Sequence, residues 1–145
     1  MSDLDDFLAE THPRLIAELE ALHNGDPRPR LAMWSTREPV TLFGAAVPLK
    51  SGSDEVSKTF NWLASRWSDC TDQRVDMVAA GVSGDLAYTV CFEHTSVSVD
   101  GAPVEPYTLR VTQVYRREGG EWKVVHRHGD APPIDQSLPG EASTA

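Results

Sequence analysis

The residues best suited to move a proton or hold a metal lie in the second half of the chain. His126-x-His128 puts two imidazoles on one side of a strand, and His94 and Asp130 could join them. These are zinc-ligand types, but the i, i+2 spacing is permissive and also recurs where no metal binds, so neither a metal nor a cofactor is expected. His94 offers a second chemistry, because an imidazole and a carboxylate such as Glu18 form an acid/base pair if the fold brings them together. Strict alternation puts Tyr88, Val90, Phe92 and His94 on one face of a strand and Thr89, Cys91, Glu93 and Thr95 on the other, and the more apolar first set reads as the inner face. On the next strand Tyr107, Leu109, Val111, Gln113 and Tyr115 form the inner row, with Gln113 its lone polar member. On the last strand Trp122, Val124, His126 and His128 oppose Lys123, Val125, Arg127 and Gly129, and composition favours burial of the Trp122 row.

These residues need elements to position them. Leu4, Phe7, Leu8, Leu15, Ile16, Leu19 and Leu22 recur at helical spacing, so Ser2 to His23 is predicted as an amphipathic helix, with a break near His12 imposed by Pro13. Asn24-Gly25-Asp26-Pro27 ends it, and a short helix from Pro29 to Trp34 follows. Val40 to Phe43 reads as a short strand. Ser53 is the expected N-cap of a third helix, with Val56, Phe60, Leu63 and Trp67 on one face. Trp62 and Trp67 are read as core or cavity lid. From Gln73 the period becomes two, and turns at Gly81 to Asp85, Asp100-Gly101 and Glu118 to Gly120 divide an antiparallel meander. Helices first and hairpin-linked strands afterwards is an α+β pattern. Residues 1–130 read as one domain and 131–145, with three prolines in the tail, as disordered.

The chain has 145 residues and a net charge of -9, which disfavours nucleic acid and anionic membranes as partners because both are bound by clustered Lys and Arg. The acidic start, with Asp3, Asp5 and Asp6, does not resemble a secretory or transit signal, so a cytoplasmic location is expected. Cys70 and Cys91 lack C-x-x-C spacing and are expected to be reduced.

Two helices, a short strand, a helix and a meander ending Gly120-Glu121-Trp122-Lys123-Val124-Val125-His126-Arg127-His128 together resemble a SnoaL-like domain of the nuclear transport factor 2 superfamily. The ending is also similar to the association domain of calcium/calmodulin-dependent kinase. Ala87 to Glu93 resembles a strand of bacterial ketosteroid isomerase, and Asn24-Gly25-Asp26 resembles its first interhelical turn. The resemblance implies a cone: a strongly curved antiparallel sheet around a pocket closed by helices. It places Glu18 where the isomerase has its oxyanion tyrosine, Leu42 at the general-base position and Gln113 at the second oxyanion donor. Without a base, ketosteroid isomerisation is not expected.

The same alignment turns Arg127 and Gly129 inward and His126 and His128 outward, against the composition of that strand. Together with the inner rows read from alternation, this gives a pocket with Glu18, Trp34, Tyr88, Phe92, His94, Tyr107, Gln113, Tyr115 and Arg127, with His94 and Glu18 as candidate catalytic residues. Arg127 could pair with Glu18 or bind a substrate carboxylate. The implied partners are a small apolar or carboxylated metabolite and a second copy docked through the convex sheet face, where Arg110, Thr112, Arg116 and His126 would lie. The alternative is a non-catalytic assembly or ligand-sensing module.

Overall fold

The computed structural model describes residues 2–133, so the tail expected to be disordered lies outside the described residues from 134 onward. Helix α1 (Asp3–Leu22) opens with a capping box in which the Ser2 hydroxyl accepts from the Asp5 amide and the Asp5 carboxylate accepts from the Ser2 amide. It does not break at His12. Pro13 is exposed, and the buried stripe Phe7, Thr11, Leu15, Leu19 and Leu22 continues through it, so packing offsets the lost hydrogen bond. Gly25, at φ 89°, supplies the left-handed residue that turns the chain away. The short helix α2 (Arg28–Met33) follows, then strands β1 (Thr41–Phe43) and β2 (Lys50–Ser51), the second not anticipated. Helix α3 (Ser53–Arg66) starts one residue earlier than expected: Gly52 is its N-cap, and Ser53 is already helical.

Four long strands, β3 (Trp67–Ser83), β4 (Leu86–Val99), β5 (Glu105–Glu118) and β6 (Glu121–Asp130), form the meander. With the two short strands they make a curved, unclosed six-stranded sheet in the order β2-β1-β6-β5-β4-β3. Strand β1 lies parallel to β6, with Leu42 opposite Arg127. The helices cover the concave face, and Phe7 meets Tyr115 and Trp122 edge-on with ring centroids 5.0 and 5.1 Å apart.

Two strand readings need correction. The inner face of β4 is Ala87, Thr89, Cys91, Glu93, Thr95 and Val97, all buried, whereas Tyr88 is 45% exposed and Phe92 and His94 lie on the outer face with it. Alternation misleads here because the inner row of β4 carries buried polar residues behind the cavity, and a buried Glu93 is tolerated through its cationic partner Arg127. On β6 neither facing holds throughout. Tyr115 pairs with Val124 and Val114 with His126, so Val125 is an extra residue that shifts the register. Trp122 and Val124 point inward before this bulge, Arg127 and Gly129 after it. Composition thus describes the first half of β6 and the alignment describes the second.

Candidate functional site

A cavity of about 510 Å³ opens between the sheet and the helices. Its outer rim is formed by exposed residues of the 44–47 loop and of the segment 102–106 that leads into β5, including Ala45, Ala46, Pro103 and Glu105. Its walls are largely apolar, with Leu42, Phe60, Leu63, Val97 and Leu109. At the buried end stand His23, Arg30, Tyr107 and Arg127.

Each of these polar groups is held by a defined partner. His23 closes α1; its Nδ1 lies 2.7 Å from the Leu19 carbonyl, so Nδ1–H donates there and Nε2 is left to accept the Tyr107 hydroxyl. The imidazole stacks on Trp67 at 4.3 Å between centroids. Burial lowers the His23 pKa to about 4 and pushes the Tyr107 phenol up to about 12, so at neutral pH the imidazole is uncharged and the phenol keeps its proton.

Arg30 is placed by α2 over the Phe60 ring, 5.0 Å from its centroid, and grips Glu18 with Nε and Nη2 at 2.6 and 3.1 Å. Arg127 is bound to Glu93 by Nη1 and Nη2 at 2.8 and 2.6 Å, and its Nη1 also donates to the Gln113 carbonyl oxygen at 3.0 Å. The Gln113 amide in turn donates to the Tyr115 hydroxyl at 2.7 Å. Burial pushes the Glu18 carboxyl above its ordinary value against the pull of Arg30. Burial acts the same way on Glu93, but Arg127 outweighs it and holds Glu93 below the usual carboxylate range. The four charges sum to zero, which is how they persist in a dry interior.

The expected site residues divide accordingly. Tyr107 and Arg127 line the cavity. Glu18, Gln113 and Tyr115 are buried behind it as a supporting network. Trp34 is core, edge-on to Phe60 at 4.9 Å. Tyr88, Phe92 and His94 lie on the other side of the sheet, and His94 bonds Asp76 and Thr108 at 2.9 and 3.0 Å. The proposed His94–Glu18 pair is therefore not formed, because the sheet separates the two side chains. His94→Ala is expected to cost about 1 kcal/mol, the net worth of a partly exposed hydrogen bond, and to leave ligand retention intact; urea unfolding and native mass spectrometry check both.

His126 and His128 flank Phe43 edge-on at 5.3 and 5.4 Å on the outer face. Trp62 is 46% exposed beneath Arg66, not a lid, while Trp67 begins β3 and lines the cavity. His23, Arg30 and Glu93 escaped the sequence reading. His23 could have been found, since it sits four residues beyond Leu19 on the buried stripe of α1.

A curved sheet wrapped by helices around one deep cavity defines the cone-shaped class to which the nuclear transport factor 2-like proteins belong. Residues 15–134 match the SnoaL-like domain family, and the chain belongs to it. A candidate dehydratase of the nuclear transport factor 2-like family from Streptomyces avermitilis superposes with a TM-score of 0.77 at 22% identity, covering 89% of this chain and 98% of that one. A protein from Thiobacillus denitrificans, named for a calcium/calmodulin-dependent protein kinase type II association domain, gives 0.70 at 17% identity, covering 86% and 96%. A nuclear transport factor 2-like protein from Salmonella enterica gives 0.70 at 17% identity, covering 90% and 92%. No curated protein matches. Among the described residues no helix is long and apolar enough to cross a membrane.

Proposed function

We propose that this SnoaL-like domain binds a small molecule in the cone and turns it over by cofactor-free acid/base chemistry of the isomerase, cyclase or hydratase type. The observation that carries the reading is the 510 Å³ apolar cavity with His23, Tyr107, Arg30 and Arg127 gathered at its buried end. Tyr107 takes the role first given to His94. Its single O–H is committed to His23 Nε2, so its oxygen is left to accept a hydrogen bond or a proton from a substrate O–H, with its own proton passing to His23. The two guanidiniums would stabilise negative charge developing on the same substrate. Leu42, on the cavity wall beside Arg127, cannot accept a proton, which keeps ketosteroid isomerisation out of the proposal. Homodimerisation through the convex face remains part of the reading.

A second reading, a ligand-sensing or assembly module without turnover, is favoured by that apolar Leu42 and by the weak basicity of a buried His23. Metabolite extract incubated with wild type, His94→Ala and Tyr107→Phe, then analysed by mass spectrometry, separates the two. The enzyme reading expects a compound consumed by wild type and by His94→Ala, with consumption at least about 100-fold slower in Tyr107→Phe. Compounds bound but never consumed would replace it with the sensing module.

A further inference from the structure

The hydrogen-bond inventory at the buried end of the cavity does not balance. A guanidinium carries N–H donors on Nε, Nη1 and Nη2. Arg30 engages Glu18 through Nε and Nη2 alone, so Nη1 and the second Nη2 hydrogen have no partner among the described residues. Arg127 commits both Nη1 hydrogens and one Nη2 hydrogen to Glu93 and Gln113, which leaves Nε and the other Nη2 hydrogen. Both side chains are nearly enclosed, with Arg30 at 3% and Arg127 at 5% exposure, and both line the cavity. Among the described residues Thr89 Oγ1 is the one enclosed side-chain polar atom without a partner, so these guanidinium N–H groups open onto the cavity, where an acceptor on a bound molecule can meet them.

We infer that the cavity selects an apolar monocarboxylate, whose carboxylate accepts the N–H groups of Arg30 and Arg127 that Glu18 and Glu93 leave uncommitted. The inference rests on the small-molecule reading above and names the class of molecule. A planar carboxylate matches the planar donors of a guanidinium and has the acceptors to serve two of them. A dianionic phosphate is disfavoured, because the carboxylates of Glu18 and Glu93 stand directly behind the two cations and already neutralise them. The wall of Leu42, Phe60, Leu63, Val97 and Leu109 accommodates the body of the molecule, while of the other charged lining residues Arg66 is paired with Asp100 and Glu105 stands exposed at the rim.

Isothermal titration of the full chain at pH 7 with matched pairs tests this: benzoate and benzyl alcohol, 4-phenylbutyrate and 4-phenylbutanol, octanoate and octanol, with phenyl phosphate as the dianionic control. In at least one pair the acid is expected to bind at least about tenfold more tightly than its alcohol, and phenyl phosphate more weakly than benzoate. The double variant Glu18→Gln/Arg30→Gln, checked for folding by circular dichroism, is expected to lose that preference; if it does not fold, the wild-type series decides alone. An alcohol as tight as its acid in every pair, or phosphate tighter than carboxylate, overturns the inference and leaves the cavity reading standing. Absence of binding by every probe also overturns it, whereas the cavity reading falls only if the purified protein in addition carries no retained small molecule.

Discussion

Replacing Arg127 by methionine is expected to cost about 3–5 kcal/mol of folding free energy, the penalty for stranding one partner of a buried ion pair. Glu93 would keep its burial and lose both charge-assisted hydrogen bonds, at 2.6 and 2.8 Å. Adding Glu93→Gln to the same background is expected to restore more than half of the loss, since the stranded charge, not the missing contact, dominates the cost. The pH dependence gives an independent check. In the wild type Arg127 holds Glu93 below the usual 4.5, so the stabilisation is present above that pH and is lost as the pH falls through the lowered folded value. In Arg127→Met burial is opposed only at longer range by Arg30 and His23 and is expected to raise the carboxyl, so the variant loses stability as the pH rises above 4.5. Its deficit relative to wild type should therefore shrink when urea unfolding is repeated near pH 4.5 instead of pH 7. A single variant within about 1 kcal/mol of wild type at pH 7 would contradict the pairing.

His23 makes the second large contribution, and its sign is opposite to that of a histidine stabilised by a carboxylate. Its folded pKa of about 4 lies below the ordinary 6.5, because burial disfavours the imidazolium. It is faced by the Leu19 carbonyl of α1, Trp67 of β3 and Tyr107 of β5, with Arg30 of α2, Glu93 of β4 and Arg127 of β6 acting at longer range. Between pH 6.5 and 4 the unfolded chain binds a proton that the folded chain does not. The stability is complete above about pH 6.5 and declines as the pH falls toward 4, by about 3 kcal/mol in total. His23→Gln is expected to remove most of this slope while other acid-sensitive groups keep theirs. Unfolding free energies at half-unit intervals from pH 4 to pH 7.5 read it directly. A variant profile as steep as wild type would mean that His23 is charged or exposed in the folded state.

The elements were legible where one physical requirement dominates. Helical spacing and the Asn24-Gly25 turn located α1, and the polar turns located the meander. The inward row of β5, Tyr107 to Tyr115, was legible because Gln113 is its lone polar member, with Val111, Gln113 and Tyr115 buried and Tyr107 and Leu109 on the cavity. The neighbouring β4 was not, since Glu93 turns inward to pair with Arg127 and Thr95 is buried with it while Tyr88 and Phe92 lie on the outer face. Hydrophobic alternation assumes an apolar inner face, and the buried polar network behind the cavity inverts it on β4. That inversion moved the expected catalytic pair from His94 and Glu18 to a cluster around His23 and Tyr107. In β6 the obstacle was the extra Val125, which no periodicity reveals because each half of the strand alternates correctly by itself. The ion pairs Glu18–Arg30 and Glu93–Arg127 join residues 12 and 34 positions apart, and only the folded sheet and helices bring them together.

Native mass spectrometry of untagged protein, purified gently from its expression host, tests the central claim most directly, because it weighs the assembly and any retained molecule in one spectrum. The expected result is a dimer that carries extra mass, released on denaturation, together with an Arg30→Met/Glu18→Met protein that folds and carries none. Mass retained equally by that variant, or a wild-type spectrum bare under every gentle condition, would contradict a ligand held at the buried end of the cone.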